Sequence, residues 1–275
     1  MIQNKIISSG RSFSALNIQG HEPNGIWDPH RHDYYEIMWC LEGKGQHSID
    51  FSTFKLRTNR VFLISPHQVH DARQLDSCLR VVAFKSDLFE VSQRHNEVMK
   101  KLGFDNVFQQ PFLDLDEDGV SHLTSLWELL LVADEDNDLG LIESLLSSYL
   151  RILARYRISE HNEGAPSSRD QRIEKIESLI ENNYIQQKRC EFYADAVNLT
   201  PKRINELMRA ACGKTVTRSI IDRICLEAKR ELTFSSKSVQ KIAIELGYDD
   251  SSYFSRLFKK QAGLSPSDYR TKMFK

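Results

Sequence analysis

The chain has 275 residues, 40% of them hydrophobic, enough to bury a sizeable core and, by length, more consistent with two domains than with one. Its net charge of −1 conceals a split: up to residue 165, 16 Lys and Arg stand against 24 Asp and Glu, whereas from residue 166 onward 21 stand against 14, so a basic half that could meet a polyanion follows an acidic half. Five cysteines without a C-x-x-C pair argue against a disulfide framework or a structural zinc site, and no secretory leader or membrane span is legible, so the expected address is the cytoplasm and no membrane partner is expected.

The first hundred residues carry β signals. YYEIMWCL, QHSIDF, RVFLIS and LRVVAFK are short β-branched or aromatic runs, EGKG between the first two reads as a hairpin turn, and no helical stripe interrupts them. The segment DPHRHDYYEIMWCLEGKG, residues 28–45, holds His30, His32, Tyr34 and Glu36 at alternate positions. In an extended chain alternate residues share a face, so these four would line one wall. Imidazole and carboxylate are common metal ligands and equally ordinary groups for gripping a small polar molecule, so the residues alone leave both uses open.

From about Val120 to Tyr156 the period becomes helical. Leu123, Leu126, Trp127, Leu130 and Leu131 form one stripe, and Leu141, Leu145, Leu146, Tyr149 and Leu153 a second, across the acidic turn DEDND. Such a helix pair would cover the β-domain or form a dimer contact. Residues 159–168, SEHNEGAPSS, are polar with Gly and Pro and read as an interdomain linker.

After the linker a helix-turn-helix pattern occurs twice. Ala194 and Val197 end a short helix; Thr200 and Pro201 open the next, with Ile204, Leu207, Met208 and Ala211 as its buried face, and Gly213 stops it. Val239, Ile242, Ala243 and Leu246, then Gly247, then Phe254, Leu257 and Phe258 repeat the arrangement. Between them Ile220, Ile221, Ile224, Ala228 and Leu232 mark a helix from about Thr217 to Phe234, roughly 27 Å long at ~1.5 Å per residue. A rod of that length could hold two recognition helices in successive major grooves of double-stranded DNA. The outward faces would present Lys202, Arg203, Asn205, Glu206 and Arg209 on the first helix, and Ser251, Ser252, Ser255, Arg256 and Lys259 on the second. These residue types bond base edges and phosphates, and Arg256 is the best candidate for a guanine contact.

The run SVQKIAIELGYDDSSYFSRLFKKQAGLSPSDYR, residues 238–270, resembles the signature of the AraC family of bacterial transcription regulators. The match rests on Ile242-Ala243, Gly247-Tyr248, Tyr253-Phe254, Phe258-Lys259, Gly263, Ser265-Pro266 and Tyr269-Arg270. The preceding hundred or so residues resemble that family's first helix-turn-helix and linking helix. The N-terminal part is similar to the family's cupin-like sensor barrel through HRHDYYE and SPHQVHD, and the similarity to metal-binding cupin enzymes gives His70 the place of a last ligand. That second motif departs from the enzyme pattern: no glycine stands between Pro66 and His70, the spacing is one residue short, and Arg60 replaces a leading glycine. Metal coordination tolerates such displacement poorly, so the expectation is an effector pocket lined by His30, His32, Tyr34, Glu36 and His70, without metal, cofactor or enzyme activity.

The resemblance thus implies a two-domain α+β protein: a cupin-like β-barrel with two following helices over residues 1–158, a linker over 159–168, and an all-α double helix-turn-helix over 169–275. It implies a DNA-binding transcription regulator, more often an activator, controlled by a small-molecule effector, acting as a homodimer and touching RNA polymerase. The competing readings are a metal-dependent cupin enzyme or metal sensor fused to a DNA-binding domain, and a β-domain that serves only oligomerisation.

Overall fold

The computed structural model describes residues 7, 10–19, 28–88, 93–104, 109–160 and 171–273. It separates into two compact units that divide at residues 166–167. Of the expected linker, residues 159 and 160 still belong to a helix, and residues 161–168 lie outside the described residues.

The first unit is built on one antiparallel sheet with the strand order β1 (Phe13–Gln19), β5 (His70–Phe84), β2 (Tyr35–Ile49), β4 (Arg60–Ile64) and β6 (Phe112–Asp114). A short β3 (Ser52–Lys55) pairs with the far end of β2. EGKG is not the hairpin turn that its composition suggests. β2 runs through it, because the equally long β5 pairs along nearly its whole length, and the register slips between Cys40 and Glu42 and between Lys44 and Gln46 absorb the irregularity. The chain reverses later, at Asp50 and Phe51, both with positive φ. Asp50 fixes that turn: its N–H donates to Val69 O, and its carboxylate accepts from Gln68 Nε2 at 2.7 Å.

Both faces of the sheet are buried, by different means. On one face Met38, Cys40, Phe62, Ile64, Leu79 and Val81 pack on one another without a helix, as in a sheet curled on itself. On the other, Ile37, Trp39, Leu63, Val82 and Phe84 pack against three helices. These are α1 (Gln93–Leu102), α2 (Glu117–Glu135) and α3 (Leu139–Glu160). α1 lies within the span read as purely β; Val98 and Leu102 are buried there, too few residues to give a periodic signal. In α2 the stripe Leu123, Trp127, Leu130 and Ala133 is buried, and Asp116 caps the helix by accepting from Gly119 N–H. In α3 Leu146, Tyr149 and Leu153 are buried as expected, but Ile142 takes the place expected of Leu141, which is exposed. Arg157 of α3 is buried and donates to the carbonyls of Leu102, Gln110 and Phe112, which ties the helix to the strand edge. Among the described residues no helix is long and apolar enough to cross a membrane.

The second unit is all-α: α4 (Gln171–Asn183), α5 (Cys190–Ala196), α6 (Pro201–Cys212), α7 (Val216–Phe234), α8 (Val239–Glu245), α9 (Ser251–Ala262) and α10 (Pro266–Met273). Four starts are capped by side chains the sequence supplies, Thr200, Thr215, Ser238 and Asp250, and left-handed Gly213 and Gly263 close α6 and α9. One core joins all of it, with Ile204 and Met208 of α6, Ile220 and Ile224 of α7, Ile242 of α8, and Phe254 and Phe258 of α9 buried together. Ala211, read as part of the α6 buried face, is exposed. Arg223 of α7 crosses to α4, 2.8 Å from Glu181, and lies 4.4 Å from the Tyr184 ring centre.

Candidate functional site

The sheet gathers a cluster of imidazoles around one carboxylate. His30 lies opposite His70, each N–H donating to the other's carbonyl at 3.0 and 2.9 Å. The loop before His70 is pinned by His67 N–H donating to His32 O at 2.7 Å and by Ser65 N–H donating to Gln68 Oε1. His32 Nε2 then sits 2.9 Å from His70 Nε2 and 3.3 Å from Glu36 Oε2. Tyr34 lies flat on His32, ring centres 3.9 Å apart. All five expected residues are therefore buried together, four converging and Tyr34 supporting the ring of one of them.

A fifth polar member was not read from the sequence. His47, buried, places Nε2 3.3 Å from His70 Nδ1. In β2 the inward residues are Glu36, Met38 and Cys40 up to the slip at Leu41, and His47 and Ile49 beyond it. A bulge inserts one residue, so the inward set changes from even to odd numbers. Strict alternation turns His47 away; only the long β5 pairing reveals it.

The cluster has a defined electrostatic state. Burial alone would raise the Glu36 carboxyl, but the His32 ring 3.3 Å away, aided by His30 and His47, holds it below its ordinary value. Burial pushes His47 down to about 4 and His70 well below the usual imidazole range, with neighbouring histidines adding to the effect on His70. At neutral pH, then, a carboxylate only 3% exposed is held beside neutral His47 and His70, and its Oε2 makes no well-formed hydrogen bond. His30 Nδ1 lies 2.7 Å from Asp28 O and His32 Nδ1 2.8 Å from Tyr34 O. A carbonyl can only accept, so both Nδ1 carry a proton and both Nε2 face the interior. The ring nitrogens that His30, His32 and His70 can offer lie within 4.8 Å of one another.

In the second unit α6 and α9 each follow a short helix and a tight turn, as the repeat predicts. Lys202, Arg203, Glu206 and Arg209 are exposed on α6, and Ser252, Arg256 and Lys259 on α9; Ser251 and Ser255 are half-buried. Arg203 pairs with Glu206 at 3.1 Å. Two of the expected contacts are engaged inside the fold. Asn205 donates from Nδ2 to Pro201 O at 2.9 Å and accepts at Oδ1 from Val216 N–H at 3.0 Å, stitching α6 to the start of α7. Ser255 donates back to Ser251 O at 2.8 Å. Spacing placed both on the outward side; it could not show that their polar atoms have internal partners.

Residues 17–174 match the family description "AraC-like ligand binding domain", and residues 193–272 match "Helix-turn-helix domain". The chain is similar along 94% of its length to the HTH-type transcriptional activator RhaS of Citrobacter koseri, at 23% identity and 92% of that protein. The RhaS of Yersinia pestis is 24% identical, over 95% of this chain and 96% of that one. Among solved structures, ToxT of Vibrio cholerae with a bound unsaturated fatty acid aligns over 94% of this chain and 95% of its own, at 14% identity and a TM-score of 0.42. With a ligand-binding unit matched over more than half of its length and a helix-turn-helix unit behind it, the chain belongs to the AraC family of DNA-binding transcription regulators.

Proposed function

We propose that this regulator is an effector-controlled activator whose effector is gripped by His30, His32, Glu36 and His70, with Tyr34 and the newly found His47 behind them. The observation that carries the reading is Glu36 Oε2, a buried carboxylate oxygen without a well-formed hydrogen bond. A buried charge in that condition is unfavourable unless a ligand completes it, and a donor group of a polar effector would do so. Lys202, Arg203, Glu206 and Arg209 on α6, and Ser251, Ser252, Arg256 and Lys259 on α9, are assigned to DNA. The sensor covers residues 1–158, joined through 159–168 to the DNA-binding unit, and the protein works in the cytoplasm without turnover of its ligand. Homodimerisation is assigned to the outer face of α2 and α3, where Leu129, Val132, Leu139 and Leu141 are exposed; a contact with RNA polymerase completes activation. An effector that prefers the activating arrangement shifts the population by its difference in affinity.

A second reading is favoured by the fixed Nδ1 protons. The imidazoles of His30, His32 and His70, whose ring nitrogens lie within 4.8 Å of one another, fit a divalent transition ion, with the Asp28 and Tyr34 carbonyls orienting two of them. Native mass spectrometry of the untagged protein as purified separates the readings and reports the oligomeric state. A metal-free dimer whose DNA binding responds to an organic metabolite, with the response lost in Glu36→Gln, supports the effector site. One divalent ion per chain, lost in His32→Ala, replaces it with the metal reading. An unresponsive protein carrying neither sinks both.

A further inference from the structure

Asp222 lies in the second turn of α7, the helix between the two helix-turn-helix units, and three donors converge on its carboxylate. Oδ2 accepts from Lys214 Nζ at 2.5 Å. Oδ1 pairs with Arg218 Nε at 3.2 Å and accepts a short hydrogen bond from Gln261 Nε2. The donors come from informative places. Lys214 directly follows Gly213, the residue that closes α6, and Gln261 lies in the last turn of α9, just before Gly263 closes that helix. One carboxylate on the connecting rod therefore holds the C-terminal end of each candidate recognition helix.

We infer that Asp222 is a positioning residue that fixes the separation and angle of α6 and α9, and so the spacing between the two DNA half-sites the chain reads. This rests on α6 and α9 being the DNA-reading helices. Beside the Asn205 hydrogen bond from α6 to the start of α7, the join is made by apolar packing that includes Ile204, Met208, Ile220, Ile224, Phe254 and Phe258. Such packing is non-directional and tolerates small sliding of one helix over another. Charge-assisted hydrogen bonds to one carboxylate are directional, so the clamp removes that freedom. Stability is a poor account of it: the side chain of Asp222 is 22% exposed and those of Lys214 and Arg218 about half exposed, a setting in which ion pairs contribute little. The carboxylate also occupies two cations that would otherwise be available to phosphate, so the clamp has an electrostatic signature distinct from its geometric one.

The test uses the full-length protein and selection from a DNA library randomised over a length that accommodates two half-sites. Wild type is expected to recover one half-site spacing. Asp222→Ala, Gln261→Ala and Lys214→Ala are each expected to broaden or shift that spacing by about one base pair, ~3.4 Å along the duplex, with base preference inside each half-site unchanged. Gln261→Ala removes a half-buried neutral side chain and leaves every charge in place, so it reads geometry alone. Asp222→Asn should in addition steepen the salt dependence of binding, by freeing Lys214 and Arg218. A single unaltered spacing in folded Gln261→Ala and Lys214→Ala overturns the inference. Arg209→Ala and Arg256→Ala, run in parallel, separate the two levels. If neither changes base preference, the assignment of α6 and α9 as readers fails; if they do and the spacing of the clamp variants is constant, only the clamp fails.

Discussion

The two units keep their candidate functional residues in opposite settings. In the sensor the candidate site residues are buried: removal from water pushes His47 and His70 down, while the neighbouring histidines hold the buried Glu36 carboxyl below its ordinary value. In the DNA-binding unit the residues proposed to contact DNA, Arg203, Arg209, Arg256 and Lys259, are exposed on helices whose other faces are core. A buried polar site is coupled to folding, so its ligand and the fold's stability are linked. An exposed one is nearly free to change without unfolding anything. The histidine distribution makes the contrast sharper, because all nine histidines precede residue 166.

Acid should break the symmetry between the units most strongly. The folded pKa of His47, about 4, is below the usual 6.5. Above 6.5 both folded and unfolded forms are neutral and the residue has no effect; below it the unfolded chain takes up a proton that the fold refuses. Stability is thus lost as pH falls from 6.5 towards 4, by about 2 kcal/mol at about pH 5 from His47 alone. His70 acts in the same direction, whereas the depressed Glu36 carboxyl begins to matter only below its ordinary 4.5. The three tryptophans, Trp27, Trp39 and Trp127, all lie in the first part of the chain, so their fluorescence follows the sensor. Melting of the metal-free protein by fluorescence should move down in temperature between about pH 7 and 5, with His47→Phe reducing the shift. Hydrogen exchange in α6 to α9, a histidine-free region, should change much less. Equal losses in both units would remove the contrast.

Next in size, Arg256→Ala should weaken specific DNA binding by roughly 1–3 kcal/mol and relax base preference at one position, without lowering the melting temperature. Titrations on a selected site and on random DNA check it: equal losses on both would make Arg256 a phosphate contact.

Asn205→Ala should do the reverse of Arg256→Ala although the two residues belong to the same expected set. It removes the acceptor for Val216 N–H and should destabilise the second unit by about 1 kcal/mol, with base preference intact. Denaturant melts of far-UV ellipticity beside DNA selection report both. Unchanged stability with altered base preference would return Asn205 to the DNA face.

This pair shows which parts of the molecule the sequence exposes to reading. The double helix-turn-helix was legible almost residue by residue, since helical period, the Thr200–Pro201 start and the Gly213 and Gly247 stops are local signals. What spacing could not reveal was partnership: Asn205 and Ser255 have the expected period, and their polar atoms also have partners inside the fold. In the sensor the local signals failed more often. EGKG has turn composition and is held extended by β5, a strand beginning 25 residues later, and the bulge at Leu41 brings His47 inward against simple alternation. Glu36 precedes that bulge, while His30 and His32 lie before β2 and are brought to Glu36 by the His30–His70 bridge rather than by continuous strand alternation. His70 was found through the resemblance, and the Asp222 clamp through neither, because its three donors are close only in space.

Glu206→Gln is the smallest effect expected and the finest discrimination. An acidic residue on a candidate recognition helix would oppose phosphate, yet Glu206 pairs with Arg203 at 3.1 Å, one helical turn away on the same face. Both partners are about half exposed, so the pair contributes only a few tenths of a kcal/mol to stability and its loss should leave the melting temperature within about 1 °C. Its use is orientation: a guanidinium held by a neighbouring carboxylate reaches base edges in fewer directions than a free one. Glu206→Gln should therefore raise affinity for random DNA slightly, by removing a negative charge, while broadening base preference in the half-site read by α6 and leaving that read by α9 as it was. Selection and salt-dependent titration on the same variant give both quantities. A selected sequence identical to wild type, with only the affinity raised, would mean that Glu206 merely repels phosphate and that Arg203 is positioned by something else.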